Sequence, residues 1–357
     1  MVTDSNKMKA LKNEIMGLLE QEEYDIDMIC TMTDELMSDE QLERVAALSR
    51  MHGILPMDIK RISKEELMSN PYLRDIKIPS EGVEQNGIIF ANTRIVKANL
   101  PIIYDENVRD PSTFEIKRTY CACDEYLALP SIFEDGKFRS WMTVEPFEIN
   151  TFNEFIEKAS GNVLLLGCGL GYAAYMLSLK DDVKSITIVD NNQDILDIFN
   201  NHILPQFKNK EKVRTVNSDA IEYLKSTDLS AYNHVNVDIW KDTTDMIHPY
   251  LRCLEIEREN SGVEFSYWLE RTLKLEIQTE MLKAICDYPN DTNDLITVIG
   301  KDIVKREWLN KPSEVERLIN IRNLREFLYK WYSSNRDVVE QFETKKQTQN
   351  TLKKEKK

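Results

Sequence analysis

Apolar positions change their spacing twice along the chain. Near the start, in MKALKNEIMGLLEQ, Leu11, Ile15, Leu18 and Leu19 recur at helical intervals, and SDEQLERVAALSRMHG opens on a Ser/Asp cap and stops at Gly53. Residues 1–70 therefore read as a helical N-terminal region. Between 71 and 150 the pattern turns to β-branched runs punctuated by Gly and Pro (NGIIFANTRIVKANLPIIY), and FEDGKFRSW carries an Asp135-Gly136 hairpin turn. This stretch reads as a small β-rich region. From 161 short apolar strands alternate with helices. GNVLLLG, KSITIVD, KVRTVNSD and YNHVNVDIW are the strands, while YAAYMLSLK, NQDILDIFNNHILPQF and AIEYLKS are the helices between them. In the second of these helices Ile195, Phe199 and Ile203 form one stripe.

Such alternation predicts an α/β fold, a Rossmann-like doubly wound and mainly parallel sheet covered on both faces, over residues 151–300. Beyond 245, MIHPYLRCLEIEREN and YWLERTLKLEIQTEMLKAICDY read as helices, with SGVEF and DLITVIG (294–300) as strand candidates. The far edge of the sheet stays open on this pattern. SEVERLINIRNLREFLYKWYSS, with a Ser313-to-Glu316 capping box, gives C-terminal helices over 301–343. Residues 344–357 read as a disordered lysine-rich tail.

The first strand of the alternating region runs into glycines at 167, 169 and 171 (VLLLGCGLG) and a helix follows. Glycine permits the positive φ of a tight turn and the close approach of a ligand, and the helix N-terminus offers unpaired N–H groups. A dinucleotide turn needs its third glycine at relative position six, where this chain has Tyr172. The G-x-G-x-G pattern instead resembles motif I of the class I S-adenosylmethionine-dependent methyltransferases. Later strands end in Asp190 (ITIVD), Asp219 (VNSDAIEYL) and Asp238 (VNVDIW), where open α/β sheets bind ligands.

The resemblance implies S-adenosylmethionine as cofactor. It places Gly167, Cys168, Gly169, Gly171 and Tyr172 under the methionine and ribose, and Asp190, with Asn191 beside it, at the ribose hydroxyls. Asp219 then meets the adenine amino group and the Ala220 N–H a ring nitrogen. Asp238 becomes the base or amine-orienting group, with Trp240 and Asp242 facing the substrate. Upstream, RSWMTVEPFEINTF resembles a Pro-containing segment that closes over the methionine end, which makes Thr143, Glu145 and Glu148 candidates to face the cofactor; a plain linker is the other reading. The β-rich region before the turn and the apolar Leu165 resemble spermidine synthases.

Composition narrows the choice. The 357 residues carry a net charge of −15, and the last fourteen, with six Lys and one Glu, contribute +5, so the remainder carries −20. A body this acidic disfavours a nucleic-acid surface, and DIWK lacks the prolines of the amino-methyltransferase tetrad. Six cysteines, at 30, 121, 123, 168, 253 and 286, form no disulfide framework; CAC at 121–123 suits a strand or half a metal site, and no metal is assigned. No apolar run reaches the roughly 20 residues of a membrane helix, and the polar N-terminus lacks a secretory signal, so a cytoplasmic setting is expected. His234 and His248 read as ordinary polar residues, Tyr267 and Trp268 as core or pocket roof, and Asp242 and Asp245 as caps or substrate carboxylates. Three functions follow: a methyltransferase for a small-molecule or peptide-like acceptor, an aminopropyltransferase using decarboxylated S-adenosylmethionine, and a degenerate nucleoside-binding module whose arms at 1–70 and 250–343 hold a protein partner. Homo-oligomerisation stays open.

Overall fold

The computed structural model describes residues 4–32, 57–96, 102–134, 141–289, 294–307 and 309–344. Helix α1 (Asp4–Met32) buries Met8, Ile15 and Leu19 on the stripe its sequence implies. The second expected helix, SDEQLERVAALSRMHG, lies outside the described residues, as do the Asp135-Gly136 turn and residues 345–357.

Residues 57–62 depart from the helical reading of 1–70. They form strand β1 (Met57–Ile62). Pro56 before this segment and the Ser63 cap after it leave six residues, too few for a stable isolated helix. A parallel partner, strand β6 (Ile116–Cys123), takes up its backbone groups instead. The short helices α2 (Lys64–Met68) and α3 (Pro71–Asp75) follow, capped by Ser63 and Asn70. Strands β2 (Val83–Gln85), β3 (Ile88–Val96), β7 (Leu127–Glu134) and β8 (Met142–Thr143) make an antiparallel sheet in that order. Strands β4 (Ile102–Ile103) and β5 (Val108–Arg109) pair antiparallel with β6. Cys121 and Cys123 are buried free thiols in β6, so CAC is a strand covered on both faces.

Helix α4 (Pro146–Lys158) leads into the larger sheet. Its strands are β9 (Gly161–Leu166), β10 (Val183–Asp190), β11 (Val213–Asn217), β12 (His234–Val237) and β13 (Glu264–Tyr267). They lie in the order β11-β10-β9-β12-β13, every pair parallel. The chain winds outward from β9 to β11, then crosses back to β12 on the other side of β9. That reversal is the switch point of a doubly wound Rossmann-like sheet. Residues 163–166 are at most 4% exposed, and alternate ones enter different cores. Val163 and Leu165 pack with α4, α5 (Tyr172–Ser178) and α6 (Gln193–Ile198). Leu164 and Leu166 pack with α7 (Ala220–Ser226), α8 (Thr243–Glu259) and α9 (Glu270–Ile285). Burial of each such side chain contributes about 1.5–3 kcal/mol, which fixes the register of the central strand.

The far edge corrects a second expectation. DLITVIG is no strand but the start of helix α10 (Leu295–Lys305), so position 300 falls inside an element. The Asp294 carboxylate accepts the Thr297 N–H at 2.7 Å, and Leu295, Ile296, Ile299 and Ile303 are buried along one helical stripe. Gly300 lets this helix lie close to α9: a Cβ there would stand 2.7 Å from Glu280 Cβ. Helices α11 (Pro312–Ile319) and α12 (Leu324–Ser334) follow, with a helical segment over 336–344. Among the described residues the sheet ends at β13. Arg325 of α12 donates to the Phe265 carbonyl at 2.9 Å and pairs with Glu257 and Glu270, so a guanidinium occupies the outward carbonyl of that edge strand.

Candidate active site

The carboxyl ends of β9 to β12 surround a cavity of ≈ 440 Å³. Its floor begins where β9 stops. Gly167 takes φ 101° and Gly169 φ 47°, conformations that cost a side chain energy. Space is as restrictive as conformation here: a Cβ on Gly167 would lie 2.0 Å from the Asp238 carbonyl oxygen, and one on Gly169 2.4 Å from Met142 Sδ. Gly171 then opens α5 as its N-cap. The turn is therefore clamped between β8 and the β12 strand end, with its backbone facing the cavity.

Asp190 ends β10 and is anchored at both oxygens. The Cys168 N–H donates to Oδ2 at 2.9 Å and the Asn192 N–H to Oδ1 at 2.8 Å. Burial raises its pKa, and these two N–H groups oppose the rise. A carboxylate has about four acceptor positions, so two remain for the cavity. Asn191 lines the cavity beside it. Asp219 is the N-cap of α7: its Oδ1 accepts the Glu222 N–H at 3.0 Å, and Ala220, the first helical residue, joins it on the cavity wall.

Asp238 and Glu148 differ from these. Asp238 donates its backbone N–H to the Leu166 carbonyl at 2.9 Å, continuing the sheet, while its carboxylate has no hydrogen-bond partner among the described residues. Burial, with the nearby Asp190 charge, pushes its pKa up to about 7. Glu148, on the first turn of α4, is 6% exposed and its carboxylate also lacks a hydrogen bond among the described residues. Its pKa is raised well above the usual carboxylate range by burial, then by Asp238 and Glu145. Both carboxylates line the same cavity.

Several expected residues stand elsewhere. Cys168 and Tyr172 line a separate small cavity of ≈ 20 Å³ behind the glycine turn. Cys168 reaches the site through its backbone N–H, whereas Tyr172 is buried and its hydroxyl accepts from Asn70 Nδ2 at 3.2 Å. Asp242 is not on the cavity wall. Its side chain caps α8 by accepting the Thr244 N–H at 3.0 Å, and Asp245 returns the bond to the Asp242 N–H in a capping box. Asp245 lines the cavity in its place. Thr143 turns away onto Ser131 at 3.1 Å. His234 begins β12, at the end opposite the cavity.

The walls hold Trp240 and Trp268, which the sequence pattern offered as a substrate-facing residue and as core or pocket roof, and further residues that it left unassigned. Trp240 and Trp268 line the cavity with both indole N–H groups engaged, on the Trp268 carbonyl (3.0 Å) and Thr151 Oγ1 (3.2 Å). What they present is ring surface. Trp141 and Met142 come from the start of β8; Pro249 and Arg252 come from α8 and Glu343 from the 336–344 segment. Asp245, Pro249 and Arg252, spaced four and three apart, are legible as one helix face, but the face they meet is not. Arg252 pairs with Glu343. Lys241 holds its ammonium 5.0 Å from the centre of the Trp141 ring and, among the described residues, has no carboxylate partner. Seven carboxylates and two cations line the cavity, a formal excess of five negative charges. Among the described residues no group of three or more His, Cys, Asp or Glu is arranged to hold a metal ion, and no helix is long and apolar enough to cross a membrane.

No protein-family model matches the chain, and no curated protein matches it. Solved structures do overlap part of it. One is the Trypanosoma brucei PRMT1 enzyme-prozyme heterotetrameric complex with AdoHcy, at 14% identity over 33% of this chain and 37% of that chain, with a TM-score of 0.25. A putative SAM-dependent methyltransferase from Streptococcus mutans matches at 15% identity over 36% of each chain, with a TM-score of 0.26. A putative O-methyltransferase from Klebsiella pneumoniae matches at 12% identity over 43% of this chain and 62% of that one, with a TM-score of 0.25. This chain thus spans little more than a third of the first two. The fold assignment rests on strand order and register, not on these overlaps.

Proposed function

We propose that the chain is an S-adenosylmethionine-dependent methyltransferase for a small-molecule or peptide-like acceptor. The observation that carries this reading is the convergence of Asp190, Asp219 and Asp238, each at the end of its own parallel strand, with the Gly167–Gly169 turn on one cavity. The fit is chemical as well as spatial. Asp190 keeps two acceptor positions for a vicinal diol. Ala220, as the first residue of α7, has an N–H without an intrahelical acceptor, suited to an adenine ring nitrogen, and the free oxygen of Asp219 suits an exocyclic amino group. Glu148 and Asp238 present negative charge to a cation. Lys241, beside Trp141, suits the methionine carboxylate.

The cofactor supplies an activated methyl group on a sulfonium. The protein's part is to orient an acceptor in line with it, exclude water and take up a proton. Asp238, whose carboxylate is near neutrality and has no hydrogen-bond partner among the described residues, is the group we assign to that proton. An aminopropyltransferase is the second reading, since two carboxylates without a hydrogen-bond partner among the described residues also suit the doubly cationic decarboxylated cofactor. Lys241 separates the two readings.

Calorimetry with S-adenosylmethionine, its decarboxylated form and S-adenosylhomocysteine tests both. Asp190→Ala is expected to weaken the methylated cofactor at least tenfold, about 1.4 kcal/mol. Lys241→Ala is expected to weaken it several-fold and to leave the decarboxylated form unchanged; the reverse order would favour aminopropyl transfer. No binding of any of the three would end both readings.

A further inference from the structure

Resting on that cofactor reading, we propose that the acceptor is an alkylamine that enters as its ammonium cation, in the part of the cavity shared by Trp141, Trp240 and Trp268 with Glu148 and Asp238. Three features of the cavity point to this chemistry. The first is Glu148, 94% buried by its 6% exposure, aimed into the cavity with no hydrogen-bond partner among the described residues, with Asp238 in the same condition. A buried carboxylate left this way is costly unless a cation or a proton meets it. The second is charge. S-adenosylmethionine brings a single net positive charge, and the lining carries a formal excess of five negative charges, or three with Glu148 and Asp238 protonated, so the cavity stays acidic after the cofactor enters. The third is the walls. Trp240 and Trp268 have both N–H groups engaged and offer π-surface, and Trp141 already holds the Lys241 ammonium. Rings with carboxylates between them select cations over neutral or anionic groups of the same shape.

The protonation states agree with this arrangement. Asp238, faced by Asp190 and Glu148, is raised to about 7, and Glu148, faced by Asp238, Glu145 and Tyr172, is raised in the same direction. Taking a proton from an alkylammonium onto a carboxylate near 7 is roughly a thousandfold unfavourable, against about a millionfold for a guanidinium. An amine is therefore the cation this base can use. In the transfer the ammonium gives one proton to Asp238 and the freed nitrogen lone pair bonds the methyl carbon. The carbon–sulfur bonding pair returns to sulfur, leaving a neutral thioether. The product leaves as a methylated ammonium, and the proton on Asp238 passes to water.

Calorimetry on the full chain saturated with S-adenosylhomocysteine, using hexylamine, hexan-1-ol and hexanoate as probes, tests the assignment without turnover. Hexylamine is expected to bind at least tenfold more tightly than either isostere. It should also expel protons from the Glu148–Asp238 pair, read as a binding heat that changes with the buffer. Glu148→Gln, measured with S-adenosylhomocysteine saturating in both proteins, is expected to lower hexylamine affinity at least tenfold. Trp141→Leu, at a residue 39% exposed and outside the buried cores, is expected to lower it at least threefold. Equal binding of the three probes, or unchanged hexylamine affinity in both variants, with S-adenosylhomocysteine still bound, would overturn the amine assignment alone. Failure of S-adenosylhomocysteine to bind would overturn the cofactor reading and this one with it.

Discussion

A methyl group on Gly167 would meet the Asp238 carbonyl at 2.0 Å, in a backbone with φ 101°. Both the clash and the conformation oppose any side chain, so Gly167→Ala is expected to cost about 2–4 kcal/mol. Gly262→Ala, with nothing within 4 Å, should stay within about 0.5 kcal/mol. Urea unfolding of the two variants checks the contrast. Asp238 allows a prediction of opposite character. Its folded-state pKa of about 7 lies above the ordinary 3.8, so its protonated form stabilises the native chain. That contribution is complete below about pH 4 and lost as pH rises through 7, by at most about 4 kcal/mol. Glu148 acts in the same direction. Asp238→Asn should therefore lose little stability in acid and gain relative to the parent at neutral pH, seen as a crossing or converging pair of melting curves between pH 4 and 8. At this scale the three strand-terminal aspartates were legible because they come in order, each one strand apart, after the G-x-G-x-G turn, where a single one would read as a helix cap such as Asp219 also is. Trp141, Met142 and Glu343 were not, since nothing in their local pattern says which cavity they meet.

Elements show where periodicity suffices and where it fails. Strands β9 and β10 were legible because a continuous apolar run bounded by glycine or a helix cap fits little else, and β11 and β12 because short β-branched segments alternate with helices there. DLITVIG has the same composition and is helical, because the Asp294 cap and the surface of α9 decide. MDIKRI is a strand because β6 offers its edge. Caps also settled the role of Asp242. Asp242→Ala is expected to cost about 1 kcal/mol of stability with cofactor affinity unchanged, and Asp242→Ser, which keeps a cap, to recover most of it. Thermal melts with parallel calorimetry check this; lost affinity at full stability would return Asp242 to the site.

Across the whole molecule the N-terminal helix, the β-rich region and α9, which covers one face of the larger sheet, are joined at Arg109. Its guanidinium donates to Glu22 of α1 at 2.8 and 3.0 Å, to the Phe114 carbonyl at 2.5 Å and to Thr279 of α9 at 2.7 Å. The Arg109 side chain is 0% exposed and that of Glu22 7%. Glu22→Gln leaves the buried cation uncompensated and is expected to destabilise by about 3–5 kcal/mol. Replacing Glu22 and Arg109 together by Leu and Met should recover much of that loss in urea unfolding. The segments that flank the larger sheet are thus fastened to one another as well as to the sheet.

Sequence by itself determined the alternating core, the G-x-G-x-G turn and the order of the aspartates, because each depends on neighbours within one element or one turn. Tertiary structure alone decided which residues share the cavity. The start of β8 brought Trp141 and Met142, and the 336–344 segment brought Glu343. It also decided that Asp242 caps a helix while Asp245 faces the cavity. These are long-range juxtapositions fixed by burial of the two cores on either face of β9, and local spacing carries no information about them.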